Sequence, residues 1–349
     1  MRNKSFAVFT AVLAAALYGI SIPFSKLLLV EIPPTFMAAL LYLGAGFGML
    51  LVNLLKTLSN AARLEAKISR KELPYIAGTI ALDIAAPILL MVGLKTTAAA
   101  SASLLNNFEI VTTSLIALLV FKEAVGRRMW LAITLITFST IILSVQDFNS
   151  LNLSIGSIFI VLAALCWGFE NNFTRMLSIK DPSQIVVVKG LGSGIGALII
   201  VILLKEFSNS LLYIGYALLL GFVAFGLSIY FYIAAQRELG AARTCAYYAA
   251  APFIGVLLSW VILREPVSIS FLVALVIMLV GSYFAMTENH CHFHFHLEEV
   301  HDHRHNHSDN HHNHVHQNEI SGEHSHAHDH GRLKHDHEHL PDLHHKHTH

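Results

Sequence analysis

Residues 163–177 read AALCWGFENNFTRML, and residues 14–28 read AAALYGISIPFSKLL. Laid one on the other, they pair Gly19 with Gly168, Phe24 with Phe173, Ser25 with Thr174 and Lys26 with Arg175. Two further segments keep nearly the same offset. Pro34 with Gly44, Gly46 and Gly48 answers Pro182 with Gly192, Gly194 and Gly196, and residues 122–125 (KEAV) answer residues 264–267 (REPV). An apolar composition yields one such echo by chance, whereas three in the same order, each anchored by a charge or a glycine, mark an internal duplication. Function is then to be sought where the two copies meet.

Outward from these segments the chain is hydrocarbon. Over 349 residues only 13% are charged and the mean hydropathy is +0.58, which fits a membrane protein and no soluble domain of this length. The net charge is zero, so the basic excess that nucleic-acid binding requires is missing. Of three cysteines, Cys166 and Cys245 lie inside apolar runs and Cys291 opens the tail, so no disulfide framework is implied. All 23 histidines follow Met286.

Apolar runs long enough to cross a bilayer occur at about 6–29, 34–55, 74–94, 98–121 and 129–146, then 154–179, 185–204, 211–235, 241–263 and 269–286. The first reads as a retained helix rather than a cleaved signal, because its counterpart in the second copy cannot be a signal. Five spans per copy is an odd number, so the second copy enters the membrane from the opposite side, the inverted-repeat plan of many secondary transporters. With the N-terminus in the cytoplasm, Lys56, Arg63, Lys67, Arg70, Lys71, Arg127, Arg128 and Lys180 collect inside while Lys26, Lys95, Lys205 and Arg264 stay outside. The positive-inside rule therefore puts both termini in the cytoplasm of a multi-pass inner-membrane protein. The longest connector, 56–73, reads as a solvated linker, with a basic amphipathic helix on the inner leaflet as the other reading. The expected architecture is an all-α membrane protein of ten transmembrane helices. Residues 1–147 and 148–287 form the two inverted five-helix repeats, and 288–349 a disordered histidine-rich tail.

Ten spans in two halves, glycine-rich second and seventh spans, and the basic-Glu-x-Val tetrads after the fourth and ninth spans resemble the EamA type of the drug/metabolite transporter superfamily. The resemblance covers 6–286. It implies export, less often uptake, of small metabolites such as amino acids, often coupled to protons, through a cavity between the halves. The chain keeps a proline of that pattern as Pro252 but carries Ile110 at the matching place in the first half, and it has Lys189 where relatives often have arginine.

An ionisable side chain at bilayer depth costs a few kcal/mol, which makes each one a functional candidate. Ser103, Asn106, Glu109 and Thr113 recur at helical spacing and make one polar stripe in the fourth span. Glu109 is the leading candidate: facing a cavity, it could take up and release a proton as access alternates, the competing reading being a carboxylate permanently paired with Lys189. Lys189 itself reads as a binder of a substrate carboxylate or as half of that pair. Glu170, Asn171 and Asn172 replace Ser21, Ile22 and Pro23 of the first copy, so the halves are chemically unequal there, for polar contact with a solute or as an interhelical clamp. Asp83, four residues before Pro87, reads as a partner of backbone freed by a proline kink or as a transport residue. Glu123 and Glu265, equivalent in the two copies, read as scaffold, and Tyr248 as cavity lining or packing. The spans offer no nucleophile–base pair, so an enzyme is not expected.

The tail alternates His-x-His. His290, His292, His294, His296, His301, His303, His305, His307, His311, His312, His314, His316, His324, His326, His328 and His330 are candidate ligands, because neutral imidazole suits zinc, nickel and copper. Their irregular spacing fits several exchangeable ions rather than one closed site. With little to bury, the tail is expected to lack fixed structure until it finds a ligand. No cofactor is required for function. Three readings follow. The first is a secondary transporter, an exporter of a small polar metabolite coupled to protons, with a metal-binding regulatory or buffering tail. The others are a direct carrier of Zn, Ni or Co, and a membrane-anchored metal sensor. Expected partners are lipid, a small metabolite and divalent metal ions; nucleic acid is excluded, and a homodimer is left open.

Overall fold

The computed structural model describes residues 4–58, 70–121, 125–147, 152–177, 180–239, 244 and 247–287, together with the backbone of 293–295, 299–305, 324–330 and 334–336 in the tail. Hydrocarbon cannot satisfy backbone amides, so an apolar chain that crosses it coils into helices that bond internally. Nine described helices are long and apolar enough to do so: Ser5–Leu28, Pro34–Leu55, Arg70–Thr96, Ala99–Leu119, Arg127–Ser144, Ile155–Met176, Pro182–Leu204, Leu211–Ala235 and Ile269–Met286. A shorter apolar helix, Ala251–Leu263, stands at the ninth of the ten expected positions. The first span divides into α1 (Lys4–Gly19) and α2 (Ser21–Leu28). Next come α3 (Pro34–Leu58) and α4 (Leu73–Thr96), and the fourth span divides into α5 (Ala99–Leu105) and α6 (Phe108–Leu119). Then follow α7 (Arg127–Ser144), α8 (Ile155–Met176), α9 (Pro182–Leu204), α10 (Leu211–Leu220), α11 (Ser228–Leu239), α12 (Ala251–Leu258) and α13 (Ile269–Met286). Two π-helical stretches, Gly221–Leu227 and Ser259–Leu263, continue α10 and α12.

The contacts between helices include large ones of α3 with α9, α4 with α8, α13 with α7 and α1 with α11, and a smaller one of α12 with α5. Numbered as spans, these are second with seventh, third with sixth, tenth with fifth, first with eighth and ninth with fourth. Advancing every span by five returns the same set, which is how a doubled chain packs its copies against each other. Every one of these contacts crosses from one half to the other.

Close approach is bought with glycine. A Cβ on Gly190 of α9 would lie 2.6 Å from the Gly46 nitrogen of α3, and one on Gly46 would lie 2.6 Å from the Leu191 nitrogen. The two backbones thus touch, the small-residue packing that associates helices where lipid gives no hydrophobic drive between them. Around this seam Met37, Leu41, Met49, Leu90, Met91, Leu94 and Ile160 are fully buried. Large apolar side chains on the outer surface, such as Leu211 at 83% exposure and Ile269 at 82%, face the region that lipid would fill.

A short hairpin, β1 (Val145–Asp147) with β2 (Asn152–Leu153), joins the halves. In the tail, β3 (Phe293–Phe295) pairs antiparallel with β6 (Lys334–Asp336), and β4 (Glu299–His305) with β5 (His324–His330). The His-x-His period of two matches the alternation of a strand, which is why these segments accept a ladder although they hold little to bury. Most of 288–349 lies outside the described residues, as do Glu123, most of the 56–73 connector and the candidate ligands His290, His292, His296, His307, His311, His312, His314 and His316.

Candidate functional site

The buried polar groups gather at the seam. Lys189, from the middle of α9, donates to a carboxylate oxygen of Glu170 on α8 and stands 3.3 Å from Asp83 Oδ2 on α4. All three are sealed, with 6%, 5% and 1% of their surface exposed. Asp83 Oδ1 accepts from the Tyr42 hydroxyl of α3 at 2.8 Å. Thr174, one turn after Glu170, donates to the same Glu170 oxygen and receives Lys189 at 3.1 Å. Desolvating each ion costs several kcal/mol, a cost offset here by paired charges and hydrogen bonds. The cluster is built from both halves, Asp83 and Tyr42 from the first and Glu170, Thr174 and Lys189 from the second.

One and two residues after Glu170 on α8, a second group forms. Asn171 Nδ2 donates to Glu109 Oε1 at 2.6 Å and to Thr113 Oγ1 at 3.3 Å, and Asn172 Nδ2 donates to the Thr113 and Gly168 carbonyls at 3.1 and 2.8 Å. Glu109 remains half-buried, unlike the sealed Asp83 and Glu170. Thr112 adds a bond to the Ala164 carbonyl at 2.8 Å. The α6–α8 contact is thus hydrogen-bonded along two turns.

The sequence predicts one unbroken polar stripe in the fourth span. The structure interrupts that span at Asn106 and Asn107, where α5 ends and α6 begins. Glu109 and Thr113 accordingly meet α8, while Ser103 and Asn106 turn toward the break between α1 and α2. There they line a small gap with Tyr18, Gly19, Ser21 and Gly255. Asn106 Nδ2 donates to the Tyr18 hydroxyl at 3.3 Å. Ser103 Oγ and Asn106 Oδ1, both buried, have no hydrogen-bond partner. Tyr248 stacks on Tyr18 with centroids 5.7 Å apart, and its hydroxyl is 3.3 Å from Ser228 Oγ.

Two expectations are corrected. Lys189 pairs with Glu170 and Asp83 rather than with Glu109, because α9 packs against α4 and α8 is adjacent, whereas Glu109 is claimed by Asn171. Asp83 does not serve backbone freed at Pro87; its oxygens go to Tyr42 and Lys189. Glu265 proves to be a cap: its two oxygens accept the Ala99 and Ala100 amides at 2.6 and 2.8 Å, fastening the start of the fourth span to the loop after the ninth. Lys26 donates to the Leu94, Lys95 and Thr97 carbonyls at 2.6, 3.2 and 2.9 Å on the same side. At the other end of the bundle Lys180 lies 3.7 Å from Glu72, both buried. Sequence reasoning missed Tyr42, Thr174 and Tyr18. A tyrosine among the glycines of the second span was the available signal for the first, and the pairing of Thr174 with Ser25 in the repeat for the second.

A solved crystal structure matches this fold with a TM-score of 0.58 at 16% identity, covering 81% of this chain and 96% of that one. An uncharacterized transporter of Methanothermobacter thermautotrophicus is 26% identical over 297 residues, 80% of this chain and 86% of the relative. The EamA-like transporter family matches residues 5–145 and 154–287, so that both copies are accounted for. A helical chain with a buried ionic centre, matched by the family model over most of its length, belongs to the EamA-like transporter family.

Proposed function

We propose that this chain is a secondary transporter that exports a small polar metabolite in exchange for protons, with Glu109 as the coupling carboxylate. The observation that carries this reading is a set of three carboxyl groups, Asp83, Glu109 and Glu170, set around one lysine at the seam between the halves. A carboxylate there is either paired or protonated, because an unpaired ion at that depth is costly. Asp83 and Glu170 have the lysine. Glu109 has a neutral amide and some exposed surface, so it is the group free to exchange its proton with a compartment. Alternating access is the mechanism we read here: the largest contacts between helices join the two halves, and a rocking of one against the other would open the centre to either side.

The test is flux in proteoliposomes of the metabolites whose cellular levels change when the protein is removed. Glu109→Gln is expected to insert and fold normally and to lose proton-driven transport. Undiminished proton-driven transport by that variant discards the assignment.

Direct passage of a transition metal through this centre is disfavoured by Lys189, whose ammonium occupies the position a cation would take between Asp83 and Glu170. The tail is the place for metal. We read it as binding several zinc, nickel or copper ions at the cytoplasmic face of an inner membrane, as a buffer or regulator. Support comes from the alternating histidines and from the backbone register of β4 with β5, which sets His301 opposite His328, His303 opposite His326 and His305 opposite His324. Opposed residues in such a ladder have Cβ atoms about 5 Å apart, a span that one ion can bridge. Removing 288–349 is expected to abolish zinc binding in equilibrium dialysis while solute flux persists. Loss of flux together with the metal would favour a metal carrier, and metal binding without any flux a sensor.

A further inference from the structure

The seam holds more acidic groups than basic ones. With all groups ionised, Asp83, Glu109 and Glu170 outnumber Lys189 by two. The next cation along α8, Arg175, lies over the ring of Phe121 at 5.6 Å, at the end of the bundle. Glu72 with Lys180, and Glu265 with Lys26, are at the two ends as well. An anionic solute entering the centre would meet carboxylates and a lysine already bonded twice.

Beside these charges stands a cluster of aromatic rings. Tyr18 stacks on Tyr248 and meets Phe225 edge-on at 5.8 Å, Tyr248 meets Tyr232 at 4.8 Å, and Phe225 meets Tyr42 at 5.5 Å. The cluster runs from Tyr42, which holds Asp83, to Tyr18, which holds Asn106. Ring faces and carboxylates together attract organic cations, the more strongly where water is excluded.

The gap beside Tyr18 adds directional chemistry. It contains a buried carbonyl oxygen without a donor, Asn106 Oδ1, one turn before Glu109, and a buried hydroxyl without a partner, Ser103 Oγ, nearly two turns before it. Leaving such atoms unpaired is costly, and an N–H-bearing ligand removes that cost. The nearby start of α12 is a poor anion site, since Pro252 removes one of its amide donors.

We propose that the transported solute is an organic cation with N–H groups, an amine or amidine, that donates to Ser103 Oγ and Asn106 Oδ1 and lays its charge between the tyrosines and Glu109. The inference rests on the transport reading above and gives it a substrate class. Solute and protons take turns in neutralising the same carboxylate, so the cation leaves as the proton enters and no covalent bond to carbon changes.

The full chain in proteoliposomes with a trapped pH indicator tests this. Benzamidine and agmatine stay charged and carry N–H donors; benzyltrimethylammonium is charged without them; phenylalanine, benzoate and benzyl alcohol are the zwitterionic, anionic and neutral probes. Proton movement is expected with benzamidine or agmatine, at least several-fold less with the quaternary ion, and none with the other three. Asn106→Ala is expected to raise the half-saturating benzamidine concentration about tenfold. Should that variant fail to insert, Asn106→Asp, which keeps the shape and adds a negative charge, is expected to lower it. No response to either cation, or responses confined to phenylalanine or benzoate, would overturn the substrate class while leaving a transporter of another solute. A benzamidine response untouched by both Asn106 variants would overturn the site. Proton-independent flux of the cellular metabolite would instead remove the coupling reading itself.

Discussion

Lys189 is the residue on which the centre depends. Its ammonium joins α9 to α8 and α4, and without it Asp83 and Glu170 would face each other as buried like charges. Removing one member of a buried ion pair costs roughly 3–5 kcal/mol. Lys189→Met is therefore expected to lower the melting temperature in detergent sharply, with Glu170→Gln, which keeps an acceptor for the ammonium, lowering it less. Glu109 differs in kind. Its carboxylate is held by a neutral amide, that of Asn171, so Glu109→Gln should leave the melting temperature within a few degrees of the parent and act on proton coupling alone. If that variant melted as low as Lys189→Met, Glu109 would be a structural residue. The sequence singled out Asp83, Glu109, Glu170 and Lys189 because ionisable groups are conspicuous in apolar runs. It could not say which pairs with which, since partners 19 to 106 residues apart on different helices meet only through helix packing.

At the scale of elements, two devices hold the halves together. The first is the backbone contact of α3 with α9 at Gly46 and Gly190. Any larger side chain there must push the helices apart, and overpacking costs about 1–3 kcal/mol even where neighbours can give. Gly190→Leu is expected to yield little folded protein, measured by size-exclusion recovery, and Gly190→Ala a partial loss. The second is the Glu265 cap on α5. A carboxylate at a helix N-terminus contributes about 1 kcal/mol, more where it is partly buried. Glu265→Gln should therefore cost about that much in a melting experiment, and a variant as stable as the parent would show the cap to be idle. The repeat in the sequence marked the KEAV and REPV tetrads as special; only the fold shows that the glutamate of the second one reaches across to the first half. The break at Ile20 was not legible, because apolar composition continues on both sides of it; at Asn106–Asn107 the polar residues were visible but fit the helical stripe equally well.

For the molecule as a whole, the pattern of contacts returns to itself when each span is advanced by five, which agrees with the family match over both copies. Ten crossings return the chain to the face from which it started. Impermeant labelling of single cysteines at Ser5 and at Thr287, in a background without native cysteines, is expected to reach both from the cytoplasmic face. Labelling from opposite faces would require an odd number of spans and would end the inverted-repeat description. Conformational change, too, belongs to this scale: the Glu265 cap at one end and the Lys180–Glu72 contact at the other are inter-half ties that opposite movements would have to release in turn.

What the sequence determined by itself was the class, the doubling and the inventory. A chain that must satisfy its amides inside hydrocarbon has few choices, and a repeat with an odd number of spans has one way to thread. Tertiary structure decided the pairing: that Lys189 belongs to Glu170 and Asp83, that Asn171 claims Glu109, and that Asn106 and Ser103 turn from the stripe toward Tyr18. Hydropathy is a local property written residue by residue, whereas a hydrogen bond between helices depends on rotations and breaks that residues far apart in the chain fix together.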